Sequence, residues 1–149
     1  MADVTDDVVL RDVTADDLEI FFEHQRDPVA YAMADFPPRD REAFMAHWSK
    51  ILADDAVQTR TVVHGGQVVG NVVSWGQSGQ REIGYWMDRQ YWGRGIATQA
   101  LAGFISLITP RPLYAHVATH NVGSQRVLSK CGFRISRVED AELVLVLNS

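Results

Sequence analysis

At 149 residues, 46% hydrophobic and 22% charged, the chain is long enough for one domain with a substantial core, and its composition is ordinary for a soluble globular protein. The net charge of −5 is concentrated near the start, where Asp3, Asp6, Asp7, Asp12, Asp16, Asp17, Glu19 and Glu23 face only Arg11. That balance argues against general nucleic-acid or anionic-membrane binding, and fits either a cationic substrate or a solvated acidic face. No run approaches the roughly 18 apolar residues of a membrane-spanning helix. The acidic first residues are unlike a signal or transit peptide, and the lone Cys131 cannot form an internal disulfide, so a reducing, cytoplasmic location is expected.

Residues 8–13 alternate as a first strand. Thr14 then stands as an N-cap with Asp16 and Asp17 in the first turn, predicting a helix to about Gln25 that Pro28 ends. Residues 29–38 are poorly periodic and read as a loop or short helix. Asp40 caps a second helix over residues 41–54, with Phe44, Trp48, Ile51 and Leu52 on one face. Tyr31, Met33, Phe36 and Trp48 either shape a pocket or fill the core. Residues 58–63 and 67–75 form a hairpin around His64-Gly65-Gly66, and residues 81–87 add a third consecutive strand after a turn at 76–80. A glycine-containing loop leads into a helix from Ile96 to about Ile108, stopped by Pro110 and Pro112. A strand at 113–118, a helix at 121–130 stopped by Gly132, and a hairpin of 133–138 with 142–147 around Asp140-Ala141 complete the chain. The order β-α-α-β-β-β-α-β-α-β-β predicts an α/β fold with a mixed sheet flanked by helices. The run 143–147 is apolar on both faces, so that strand is either central in the sheet or covered by a partner.

The segment 82–101 is the most informative: strand, then Asp88 to Gly95 with two glycines one residue apart, then helix. Free N–H groups at a helix start carry partial positive charge, and glycines let a ligand reach them, so an anion such as a phosphate is the expected guest. A Walker A loop needs Gly-Lys-Ser/Thr, which is absent. A dinucleotide fingerprint needs a third Gly or Ala where Thr98 stands, and an acid about 20 residues on, where Thr119-His120 lies. It also belongs to a βαβ unit, whereas three meandering strands precede this loop.

Trp92-Gly93-Arg94-Gly95-Ile96-Ala97 instead resembles the acyl-CoA loop Gln/Arg-x-x-Gly-x-Gly/Ala of the GNAT N-acetyltransferase superfamily. The run Asn121-Val122-Gly123-Ser124 through Lys130-Cys131-Gly132-Phe133 is similar to the second signature of that family. With Ile83-Gly84-Tyr85-Trp86, these motifs are most similar to the subgroup of ribosomal-protein N-terminal alanine and serine acetyltransferases and its small-molecule relatives. The resemblance covers residues 8–147 and implies a single GNAT domain over residues 1–149. It further implies an enzyme that moves acetyl from acetyl-CoA directly to a primary amine, either a protein N-terminal α-amine or a small molecule. No nucleic acid, membrane or metal partner is implied, and the chain would be a monomer or homodimer.

Residue by residue, the resemblance implies that the Met87 backbone pairs with the pantetheine arm, that Gly93, Arg94, Gly95, Ala97 and Thr98 form the pyrophosphate cradle, and that Asn121 contacts pantetheine while also suiting a helix N-cap. Trp92 occupies the Gln/Arg position of the loop. Arg94 either adds charge to a phosphate or is simply exposed. Glu82 matches the general base of the subgroup, the alternative being a strand acid paired with Arg81 or another Arg. Alternation puts Glu82, Gly84 and Trp86 on one face and Ile83, Tyr85 and Met87 on the other. Gly84 either leaves room for a ligand or marks a bulge. Leu128 stands where many family members carry the tyrosine that protonates the thiolate, and Ser124 is the replacement implied, or else a small residue packed near CoA. His116 and His120 fall on a strand and its exit, where zinc would lack a third ligand in sequence; a proton-relay role is open to either. Two other classes of protein are weighed: a non-catalytic acyl-CoA-binding module, and a Rossmann-type oxidoreductase.

Overall fold

The computed structural model describes residues 7–77 and 79–149; Asp3 and Asp6 of the acidic start, and Ser78 in the turn at 76–80, lie outside them. The elements follow as β1 (Val8–Arg11), α1 (Ala15–Gln25), α2 (Pro28–Ala34), α3 (Arg41–Leu52), β2 (Gln58–His64), β3 (Gln67–Trp75), β4 (Arg81–Met87), a short 3₁₀ turn (Arg89–Tyr91), α4 (Ile96–Ile105), β5 (Leu113–Ala118), α5 (Val122–Lys130), β6 (Arg134–Glu139) and β7 (Glu142–Leu147). The expected α/β order holds, with the irregular segment after Pro28 forming a third early helix. Local chemistry explains that helix: Pro28 sits at its first position, the Asp27 side chain accepts from the Val29 N–H, and Asp35 ends it in the left-handed region at φ 55°.

One mixed sheet runs in the order β1-β2-β3-β4-β5-β7-β6. Every neighbouring pair is antiparallel except β4 and β5. β7 is therefore internal, between β5 and β6, which accounts for the apolar residues on both its faces: Val144 and Val146 are buried opposite Leu143, Leu145 and Leu147. β6 is one of the two edge strands, opposite β1, and is exposed along its length.

Each face of the sheet buries its own core. On one side α4 and α5 bring Ile96, Leu101, Phe104 and Leu128 against Val62, Val72, Ile83, Met87 and Leu113. On the other, α1 and α3 bring Phe21, Phe22, Phe44 and Trp48 together, with Val68 and Val73 packed beneath. Trp48 is thus a core residue, stacked 5.1 Å from Phe21, whereas Phe36 is exposed under the Arg39 guanidinium. Leu52, expected on the buried face of α3, is exposed because it lies in the last turn of the helix.

A buried carboxylate locks the α1 layer to the sheet. Asp17, 2% exposed, takes two hydrogen bonds from the Arg11 guanidinium at 2.7 and 2.9 Å, one from the Thr61 hydroxyl at 2.7 Å and one from the Thr14 N–H at 2.9 Å. One acid of the N-terminal cluster is therefore structural rather than solvated. Burial alone would raise its pKa, but the Arg11, Thr14 and Thr61 donors hold it down to about 2. A carboxyl depressed in this way stabilises the fold above its unfolded pKa near 4, and the contribution is lost as pH falls through the folded value. Asp17→Asn should therefore lower stability by about 2 kcal/mol at neutral pH. Thermal unfolding followed between about pH 4 and pH 2 should show the wild type losing stability that the variant never had.

Candidate active site

The parallel pair at the centre of the sheet is short. β4 and β5 are in register only at Arg81 with Leu113 and Glu82 with Tyr114, although β4 runs on to Met87 and β5 to Ala118. Past Glu82 the strands part and leave backbone groups on the facing edges without a strand partner. The opening leads to a cavity of about 110 Å³ lined by Ile83, Gly84, Tyr85, His116, Asn121 and Ser124, among others. β3 and β4 stay in continuous register across Gly84, so no bulge marks this glycine. Gly84 lines the cavity, and a Cβ there would also touch the Trp75 indole at 3.4 Å, an ordinary packing distance.

Beyond the end of β4 the chain turns through the glycine loop into α4. Gly93 and Gly95 both adopt positive φ, 73° and 79°, and a Cβ at either would meet no atom within 4 Å. Glycine is required here by backbone conformation, and the loop surface is open. Gly95 caps α4 with no side-chain hydrogen bond, so the first-turn N–H groups over Ile96, Ala97 and Thr98 lack an acceptor. Unpaired strand edges suit an amide-bearing arm, and the bare helix start suits a phosphate, so these residues fit an acyl-CoA. The Trp92 indole N–H is committed to the Met87 carbonyl at 3.1 Å. Trp92 therefore braces the loop against the end of β4, and its only side-chain donor is already used. Arg94 is exposed, with its guanidinium 5.3 Å from the centre of the Tyr91 ring.

Asn121 performs the capping role read from sequence, its side chain accepting from the Ser124 N–H at 3.2 Å, and it also lines the cavity. Ser124 reaches the Tyr85 hydroxyl across the cleft at 2.6 Å. Burial, the largest influence, pushes the Tyr85 phenol up to about 12, outweighing the Ser124 hydrogen bond. Cys131 lies under the same wall, its thiol 3.6 Å from the Thr98 carbonyl and pushed up by burial, so it is poorly disposed to form a thiolate.

On the opposite face, Glu82 does not pair with Arg81. That arginine is buried and spends its donors on the carbonyls of Ala56, Ser74 and Gly76 and on the Ser74 hydroxyl. Glu82 instead stands 3.3 Å from His116 Nε2, and His116 Nδ1 stands 2.8 Å from Glu142. His120 takes no part in this group. Its Nε2 donates to the Ala32 carbonyl at 3.0 Å, tying the β5–α5 corner to α2. Of the residues singled out in sequence, Asn121, Ser124 and His116 line the cavity, and Glu82 reaches it only through its contact with His116, while the glycine loop follows the end of β4. Sequence reasoning missed Tyr85 as a site group and gave His116 no partner. Period-2 alternation already placed Tyr85 on the face shared with Ile83 and Met87, but its partner lies 39 residues away in sequence.

This combination defines a class: an α/β protein whose central parallel strands splay beside a glycine loop and an uncapped helix start. The chain belongs to the GNAT acetyltransferase family, whose domain model matches residues 7–134. It is accordingly an N-acetyltransferase with acetyl-CoA as cosubstrate. Its fold is similar to that of spermidine N-acetyltransferase from Vibrio cholerae, solved with CoA and spermine (TM-score 0.82, 16% identity, covering 95% of each chain). It is also similar to RimJ from Mycobacterium smegmatis, solved with CoA-disulfide (TM-score 0.78, 21% identity, covering 97% of this chain and 83% of that one). A domain from Methanocaldococcus jannaschii shares the fold at a TM-score of 0.82 and 17% identity, over 96% of this chain and 99% of that one. No curated protein sequence matches significantly.

Because the loop depends on left-handed glycines with open space above them, Gly95→Val should weaken CoA binding at least about tenfold. Titration calorimetry with CoA checks this, and unchanged affinity would mean the loop is not the cradle.

Proposed function

We propose that the acceptor is a primary amine carried by a small cationic molecule, and that Glu82 removes its proton. The observation that carries this reading is the position of Glu82, at the point where β4 and β5 separate and beside the cavity, with His116 and then Glu142 in line behind it. Carboxylates on the acceptor side attract an ammonium, and one of them can then receive its proton. The amide-rich edges of β4 and β5 would hold the pantetheine arm, with Met87 at the strand end and Asn121 opposite. Gly93, Gly95, Ala97 and Thr98 would present N–H groups to the pyrophosphate, and Arg94 would add charge at its rim.

Acetyl-CoA supplies an activated acetyl group on a thiol leaving group. The neutral amine would attack it directly, since neither Cys131 nor Ser124 has a base beside it: the partner of Ser124 is Tyr85, and His116 is engaged with carboxylates. Glu82 takes the amine proton, and His116 offers a path from Glu82 to Glu142 and the solvent. Ser124 faces the cavity from α5 and would meet the departing sulfur. Similarity to the spermidine enzyme supports a polyamine-like acceptor, as does similarity to an aminoglycoside acetyltransferase solved with coenzyme A. Similarity to RimJ, together with the subgroup motifs, supports a protein N-terminus as the second reading.

Thiol release from acetyl-CoA, measured against polyamines, aminoglycosides and Ala- or Ser-starting peptides, decides between them. Turnover is expected with the small cations, and peptide-only turnover would select the second reading. No turnover with any acceptor would point to an acyl-CoA-binding module. On the best substrate, Glu82→Gln should lower kcat roughly a hundredfold with the fold intact. Full kcat across about pH 6–9 would remove Glu82 as the base.

A further inference from the structure

Leu128 on α5 is buried in the core, so the helix wall of the cleft carries no phenol at the position where the family pattern has one. A phenol is nevertheless present, supplied from the strand wall. Tyr85 projects from β4 on the α5 side, and its hydroxyl lies 2.6 Å from Ser124 Oγ, with both residues lining the cavity. Neither hydroxyl makes another side-chain hydrogen bond among the described residues. Two hydroxyls in contact have one favoured order. The phenol is the stronger acid and the better donor, so Tyr85 donates and the serine oxygen accepts. The serine proton is then excluded from the Tyr85 direction and turns elsewhere. The Ser124 backbone N–H is fixed on Asn121, which holds the first turn of α5 in place while this happens.

We propose that Tyr85 is a positioning residue that aims the Ser124 hydroxyl into the cleft, forming a relay of hydrogen bonds from Tyr85 to Ser124 to the CoA sulfur. This rests on the cleft holding acetyl-CoA as described above. As the amine nitrogen forms its bond to the acetyl carbon, the C–S bond breaks and its electron pair stays on sulfur. The Ser124 O–H steadies that charge, while the amine proton goes to Glu82. Tyr85 transfers no proton. Because burial holds its phenol protonated to about pH 12, it remains a donor throughout the working range. A chain of two donors polarises in one direction, so each bond strengthens the other. The titratable groups around the pair are Cys131, a half-buried thiol at the end of α5 whose pKa burial raises, and Glu82 with His116 toward the acceptor face.

The test is the thiol of CoA itself, titrated by the ultraviolet absorbance of its thiolate while bound to the wild type, Tyr85→Phe, Ser124→Ala and the double variant. The wild type should lower the thiol pKa of bound CoA by about one unit relative to either single variant, the equivalent of a tenfold preference for thiolate. The double variant should shift it no further than Ser124→Ala alone, because Tyr85 acts only through the serine. In turnover, Tyr85→Phe should lower kcat roughly tenfold with KM for acetyl-CoA little changed. A bound thiol that titrates identically in wild type and Tyr85→Phe, or effects of the two substitutions that simply add, would overturn the proposal. Because the titration uses CoA and no amine, it decides the matter even if every acceptor fails. Thermal unfolding of each variant, and Ser124→Ala as the second route to the same readout, separate the effect from misfolding.

Discussion

The structure depends on an interrupted pairing. Parallel strands β4 and β5 begin in register at Arg81 and Glu82 and then diverge, while β4 stays zipped to β3 and β5 to β7. Divergence leaves hydrogen-bonding groups unsatisfied in the middle of a sheet, which is costly unless something else pairs with them. The surrounding chain tolerates this because each half of the sheet is anchored separately. The β1–β4 half is held by α1 and α3 through the aromatic cluster around Phe21 and Trp48, and by the Asp17 carboxylate joining β1, α1 and β2. The β5–β7 half is held by β7, which is buried on both faces.

The opening gains its character from what lines each side. The α4 side presents mainly backbone, with the exposed Arg94 beside it: two left-handed glycines and a helix start without a side-chain cap, kept in place by Trp92 bonded to the Met87 carbonyl. The opposite face presents charge: Glu82, His116 and Glu142 in contact. Under the proposed function, a phosphate-bearing donor and a cationic acceptor would approach from opposite ends, which would keep like charges apart. Tyr85 and Ser124, neutral and hydrogen-bonded to each other, line the cavity.

Much of this was legible because its signals are local. Thr14, Asp40 and Asn121 mark helix starts through side-chain chemistry confined to three or four residues. Gly93, Gly95 and Gly132 mark loop and cap conformations through the cost of positive φ to other residues. The glycine loop and the Asn121–Phe133 signature together identified the family, which the domain match bears out. The helix at Pro28 was only half legible, read as a loop or short helix after a proline that ends α1, because seven residues give too few turns for periodicity to show; in the structure Asp27 caps it and Pro28 opens it. Of the two readings of Gly84, the bulge fails because β3 and β4 stay in register across it, whereas its place in the cavity lining depends on where β4 and β5 part, which no local pattern shows.

What the sequence determined by itself was the order of elements, the conformation of the loop and the class of donor, because each is written in residues adjacent along the chain. What only the tertiary structure decided was partnership. Arg81 turned inward to carbonyls rather than to Glu82, and Asp17 became a buried anchor rather than a solvated acid. His116 came between two carboxylates, and Tyr85 met Ser124 across the gap. These contacts join residues on different strands and helices, and they follow from sheet register and from the point where two strands part. Neither quantity is encoded in any local pattern; both are settled by how the two cores pack.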